Sequence, residues 1–228
     1  MLKKLLIFLI IISKFSFSDN NINIVDKYNS FNFNNKLEYE IFEKAYLGYL
    51  QISEKTSELL AIIDYSKPSS DERFFLLDLA NNKVLYNTRI AHSKNSGFDI
   101  PIKFSNDPNS FENSLGFYLT LEEYNGAYGT SLRLKGLEEN INSNAEERAI
   151  VIHGGNIADD SYFEKYGFLG RSLGCPVLPT NIIANVVSLI KNGTVVFING
   201  NDDSYMEESK FMKKLSSFNL KLTNIPNL

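Results

Sequence analysis

The sequence predicts a mainly β chain with a few short helices and an N-terminal helical lead-in, on three observations. Between Leu59 and Ala91 the apolar residues fall in short runs broken by turn-forming residues, the pattern of a β-meander. Lys36 to Gln51, by contrast, sets Leu37, Ile41, Ala45, Tyr46 and Tyr49 at helical spacing. From Ala149 onward, an apolar run ending in His153-Gly154-Gly155 is followed by one apolar helix and one more short strand.

Taken in order, the first eighteen residues stand apart. Met1-Leu2-Lys3-Lys4 is a positive start, Leu5 to Ile12 an unbroken apolar run and Ser16-Phe17-Ser18 a small-x-small site, which together read as an export signal. The apolar run is far short of the roughly 20 residues that span a bilayer, so no stable membrane anchor is expected. Asp19 to Asn35 is Asn-rich without periodicity and reads as a flexible leader ahead of the helix.

Leu59 to Tyr65, Arg73 to Leu79 and Val84 to Ala91 read as three strands, with turns at Lys67 to Asp71 and Asn81-Asn82-Lys83. Phe98 to Lys135 reads as loop-rich, and its Tyr118, Tyr124 and Tyr128 are candidates for lining a groove. Ser161 to Tyr166 is expected as a short helix, with Asp159-Asp160 at its N-cap and Gly167 at its end. A second helix, capped by Thr180 or Asn181, is expected to run from Ile182 to Ile190 and stop at Asn192-Gly193, before a strand from Thr194 to Ile198. The expected division is a signal over 1–18, leader and helix over 19–58, one folded domain over 59–200 and a tail over 201–228.

The chain carries 23 basic and 27 acidic residues, a formal charge of −4. Loss of the signal removes Lys3, Lys4 and Lys14, leaving 20 basic residues and a formal charge of −7. Such a balance argues against nucleic acid and anionic membrane as partners. One cysteine cannot form an internal disulfide, so in an exported chain it calls for another use.

Cys175 is that residue, and His153 is one of two histidines. Each sits on a glycine-bearing turn, His153 before Gly154-Gly155 and Cys175 within Arg171-Ser172-Leu173-Gly174-Cys175-Pro176. A lone cysteine is commonly just a small core residue, and a strand-end histidine a structural one. Two separate turns, each presenting a reactive side chain, fit a cleft better than a core. Thiol catalysis needs this pair, because the thiolate attacks and an imidazole carries the proton to the leaving group. A zinc site formed by His92, His153 and Cys175 has suitable ligand types but lacks zinc-signature spacing. No metal is therefore expected.

These residues resemble the YkuD-type L,D-transpeptidase catalytic domain, in its murein L,D-transpeptidase branch. The resemblance extends from Phe74 to Asn199 through IAHSKNSG, SLGFYLT, SLRLKGLE, ERAIVIHG and GRSLGCPVLP. Leu173 stands where the wider family has a second histidine, Val177 where it often has an Arg or Asn, and the spacer from His153 to Cys175 is long for it. The resemblance implies a β-sandwich-like catalytic fold with Cys175 as nucleophile and His153 as base, and acyl transfer by a thiol and an imidazole requires no cofactor. It also implies an oxyanion site at the backbone N–H groups of Leu173, Gly174 and Cys175. Arg171, Ser172, Gly154 and His92 are the expected substrate contacts, Arg171 as a carboxylate clamp, Ser172 also as a brace of the turn, and His92 with the alternative of a strand-end histidine bonded to a loop carbonyl.

The implied partners are two peptidoglycan stem peptides, donor and acceptor, joined through a thioester in a 3→3 cross-link in the periplasm or cell envelope. The alternatives are an L,D-carboxypeptidase, with water as acceptor, and a non-catalytic peptidoglycan-binding module.

Overall fold

A computed structural model describes residues 23–213. The expected export signal lies outside the described residues, as does the end of the tail. Among the described residues no helix is long and apolar enough to cross a membrane.

Ordered chain begins earlier than the composition of the leader suggests. Asn23 caps a short helix, α1 (Ile24–Asn29), its side chain accepting from the Asp26 N–H at 3.2 Å. Phe31 and Phe33 follow, both buried, and pack with Tyr28 and Phe42. Burying each ring contributes on the order of 1.5–3 kcal/mol, which is why this part of the Asn-rich stretch is packed rather than a flexible leader. Helix α2 (Tyr39–Gln51) matches the predicted spacing and buries Ile41, Phe42, Ala45, Tyr46 and Tyr49. Gly48 lets it approach closely: a Cβ there would lie 1.9 Å from Cζ of Phe117.

The meander forms as β1 (Leu59–Asp64), β2 (Phe74–Asp78) and β3 (Lys83–Thr88), paired antiparallel in sequence. The segment expected to be loop-rich holds a long hairpin instead, β4 (Gly116–Gly126) and β5 (Gly129–Gly136). Its inner half is buried, but Leu121 to Gly126 runs out toward solvent through a bulge between Thr120 and Glu123. Glu122, Glu123 and Asn125 on that outer half hide the strand in the sequence. Strands β6 (Val151–Gly154), β7 (Val177–Leu178) and β8 (Val195–Asn199) complete one eight-stranded sheet in the order β3-β2-β1-β8-β4-β5-β6-β7.

The central strands β1 and β8 run parallel, and residues 60–63 and 195–199 are all buried, as expected for strands covered on both faces. The mainly β class with a few short helices therefore stands, built as one sheet whose two edges meet. Ala91, just beyond β3, exchanges hydrogen bonds with Val177 of β7 at 2.8 and 3.1 Å. Lys94 and Ser172 extend the seam, through Ser172 N–H to the His92 carbonyl at 2.9 Å and Lys94 N–H to the Ser172 carbonyl at 3.0 Å. The two ends of the sheet are thereby joined beyond β3, and the cysteine turn lies along the junction.

Helix α3 (Asp160–Tyr166) forms as expected, ending at Gly167 with φ of 75°. Asp159 does not cap it through its side chain; the carboxylate instead takes the Thr180 N–H at 2.7 Å and the Thr180 hydroxyl. Thr180 is thus occupied, and α4 (Ile183–Ile190) starts at Ile182 with no side-chain cap. In the tail, α5 (Asp203–Glu208) is docked by Glu138, which is buried beneath it. That carboxylate accepts from Tyr205 at 3.1 Å, from the Phe117 N–H at 2.7 Å and from the Ser209 hydroxyl.

Candidate active site

Cys175 and His153 line the same cavity, of about 460 Å³, with Tyr128, Arg148, Ala149, Gly155, Arg171 and Leu173 among its other walls. The sheet brings them together. Strand β6 carries His153 beside β7, pairing it with Val177, two residues beyond Cys175. Parallel pairing of β6 and β7 sets the end of the His-Gly strand against the exit of the cysteine turn, although 22 residues separate the two side chains.

His153 is almost wholly buried, and its Nδ1 lies 2.9 Å from the Gly154 carbonyl oxygen. A carbonyl only accepts, so Nδ1 carries the hydrogen and Nε2 is left as the acceptor nitrogen of a neutral ring. Burial lowers the imidazole pKa below its ordinary value, with the Gly154 bond opposing it. Above the ring, Tyr128 stacks at 4.5 Å and 16° from the turn of the β4–β5 hairpin, itself 69% exposed. Of the three tyrosines expected near a groove it is the one that lines the cavity. Tyr118 is buried in the core, and Tyr124 stacks with Arg133 at the outer hairpin.

Cys175 is half-buried, and its Sγ donates to the Ala149 carbonyl at 3.7 Å. Burial pushes its thiol pKa up, while the Val151 backbone N–H and then the Arg148 guanidinium act the other way. The resting thiol is thus protonated and turned to a backbone carbonyl. Ala149 itself holds φ of 52°, in the left-handed region an alanine rarely occupies, so the acceptor beside the thiol sits on strained backbone.

Arg148 lines the cavity and is fully engaged. It donates to the Ser105 and Glu112 carbonyls, both at 2.6 Å, and to the hydroxyls of Ser114 and Ser110, so it binds the loop 105–114 to the cavity. Arg133 pairs with Glu122 at 2.9 Å, away from the cavity. Arg171 is exposed on the rim, its guanidinium 4.6 Å from the Phe98 ring centre, with no acidic partner among the described residues.

Ser172 lines the cavity, but its hydroxyl donates to the Cys175 carbonyl at 2.6 Å and accepts the Gly174 N–H at 3.3 Å. That contact corrects the expected trio of oxyanion donors, because the Gly174 N–H already has an acceptor. The Cys175 N–H has none among the described residues.

Two expected substrate contacts lie elsewhere. Gly154 is buried behind His153, where a Cβ would meet Ile183 at 2.7 Å; Gly155 is the glycine that faces the cavity. His92 has no exposed surface, so it touches no ligand and belongs to no zinc site with His153 and Cys175. Its Nδ1 accepts from Arg73 at 2.8 Å, and its Nε2 donates to the Gly97 carbonyl at 3.3 Å. Burial, with the Arg73 cation second, pushes its pKa down to about 3. Among the described residues no three His, Cys, Asp or Glu side chains group as for a metal.

Sequence reasoning missed Asn113 and Arg73. Asn113 sits in a loop of common polar residues, and nothing local marks it. Arg73 at the edge of an apolar run was the available signal, since a charged residue there either ends the strand or is buried for a reason.

No curated protein sequence matches the chain. Among solved structures it is similar to an L,D-transpeptidase from Mycobacterium smegmatis, at 12% identity and a TM-score of 0.40, over 63% of this chain and 59% of that one. It is also similar to the helical cell shape determining protein Pgp2 from Campylobacter jejuni, at 12% identity and a TM-score of 0.42, over 79% of this chain and 64% of that one. The chain thus spans less than two thirds of the length of either. The sequence pattern of the L,D-transpeptidase catalytic domain matches residues 33–199, most of the chain, and the protein belongs to that family.

Proposed function

We propose that the protein is an exported L,D-transpeptidase that forms 3→3 cross-links in peptidoglycan through a thioester on Cys175. The observation that carries this reading is the single cavity shared by Cys175 and a His153 whose Nδ1–H is held by the Gly154 carbonyl. Nε2 is then the ring's only proton acceptor, the role a general base for the thiol requires.

In this mechanism a donor tetrapeptide stem enters with the bond between its third residue and the terminal D-alanine over Cys175. The thiol leaves the Ala149 carbonyl and passes its proton to His153 Nε2 as sulfur adds to the scissile carbonyl carbon. The tetrahedral oxyanion rests on the Cys175 and Leu173 N–H groups. Collapse breaks the C–N bond, and His153 returns the proton to the departing D-alanine amine. The side-chain amine of a second stem then attacks the thioester, loses its proton to His153, and leaves a new amide with the thiol restored. Arg171 is assigned to a stem carboxylate; its exposed guanidinium, resting on Phe98 with no acidic partner among the described residues, supports that role.

Product analysis tests the reading. Purified tetrapeptide muropeptides incubated with the mature chain are expected to release D-alanine and yield a tripeptide–tetrapeptide dimer by mass spectrometry. Tripeptide alone assigns water as the acceptor, and binding without any product assigns a wall-binding module.

A further inference from the structure

We propose that Asn113 is a positioning residue that aims the Cys175 N–H at the reacting carbonyl oxygen; the inference rests on the acyl-transfer reading above. Asn113 is buried, and all four of its polar groups are bonded. Its backbone N–H goes to the Ser96 hydroxyl at 2.8 Å, and its carbonyl accepts the Ser105 N–H at 2.9 Å. In the side chain, Oδ1 accepts the Ser93 N–H at 2.8 Å and Nδ2 donates to the Gly174 carbonyl at 2.9 Å. Those partners fix the amide orientation, since an N–H can only donate and a carbonyl can only accept.

The bond to the Gly174 carbonyl has a consequence one atom further on. The peptide joining Gly174 to Cys175 is planar and trans, so its C=O and N–H point in opposite directions. Holding the carbonyl toward Asn113 turns the Cys175 N–H away from Asn113. The other polar groups of the turn are already committed, the Gly174 N–H and the Cys175 carbonyl both to Ser172. Among the described residues the Cys175 N–H is the one backbone polar group of Gly174-Cys175 with no partner. Gly174 holds φ of 136°, a conformation L residues rarely adopt, and a Cβ there would meet Ile150 at 2.7 Å. The peptide orientation is therefore imposed by the surroundings, and Asn113 is the side chain that grips it.

The test separates acyl transfer from simple thiol reactivity. Alkylation of Cys175 by iodoacetamide displaces iodide and develops no oxyanion, whereas acylation by a tetrapeptide muropeptide does. In Asn113→Asp the nearly isosteric carboxylate still accepts from Ser93 but cannot donate to Gly174. Its kcat for D-alanine release is expected to fall about a hundredfold, with KM and the alkylation rate within about threefold of wild type. Asn113→Ala, which also lacks the donor, carries the same comparison if the Asp variant is unfolded by circular dichroism. An unchanged kcat, or acylation and alkylation falling by the same factor, overturns the inference and leaves the functional reading standing. A wild-type chain that is alkylated but never acylated refutes the functional reading, and this inference with it.

Discussion

Asparagine in place of His153 is expected to lower the rate of Cys175 acylation by about a thousandfold while leaving the fold intact. The size follows from what the imidazole supplies. The Cys175 thiol is protonated at rest, because burial raises its pKa, so attack needs a group to take the proton as sulfur moves. His153 Nε2 has that role, and the amide of Asn does not reproduce it. The pH dependence carries a sign. Catalysis requires neutral His153, whose pKa burial lowers, so the acid limb of kcat/KM should lie below the ordinary imidazole value of about 6.5. Activity is then kept at mildly acidic pH and lost as pH falls through the lowered value. Stopped-flow measurement of D-alanine release from pH 4 to 9 checks both; an acid limb above the ordinary value contradicts the neutral-base account.

Leucine in place of Arg73 is expected to cost about 3 kcal/mol of stability, the largest effect on folding among the polar residues considered. Arg73 is wholly buried, with its guanidinium 4.9 Å from the Tyr65 ring centre and no ion pair among the described residues. Its Nε and Nη2 donate to the Ile90 carbonyl at 3.1 and 2.9 Å, Nη1 to the Lys67 carbonyl at 2.7 Å and Nη2 to His92. Leucine leaves those acceptors bare, each costing roughly 1–3 kcal/mol, and recovers only part of that by not burying a cation. Lysine is not expected to rescue, since an ammonium cannot span the same fork. The loss matters at the site because Ile90 leads into Ala91 and His92, whose backbones form the seam with Ser172 and Val177. Urea denaturation of Arg73→Leu and Arg73→Lys measures it, and a midpoint equal to wild type sinks this view of the seam.

Why the sequence showed some of this and not the rest follows from how each signal arises. The meander strands and α2 were legible because their apolar residues recur within a few positions along the chain. The two cavity-lining side chains were legible because glycine beside a scarce reactive residue is itself a local signal. The β4–β5 hairpin was not, since its outer half leaves the core and takes on the acidic surface of a loop. His92 was open between a cleft residue and a strand-end histidine bonded to a loop carbonyl, since local sequence alone does not tell it from His153. What separates them is closure of the sheet edges, which buries one under Arg73 and leaves the other facing the cavity. Asn113 lies further still from local signals, as its partners Ser93 and Gly174 come from two segments that meet only at that seam.

The central claim is that Cys175 itself becomes acylated by a stem peptide. Intact-protein mass spectrometry of the chain, quenched in acid soon after mixing with a tetrapeptide muropeptide, tests it most directly. The expected result is a mass gain equal to the donor less D-alanine, located on Cys175 by peptide mapping and absent from Cys175→Ala. Release of D-alanine by the Cys175→Ala variant, or turnover with the acyl group on another residue, would contradict the account.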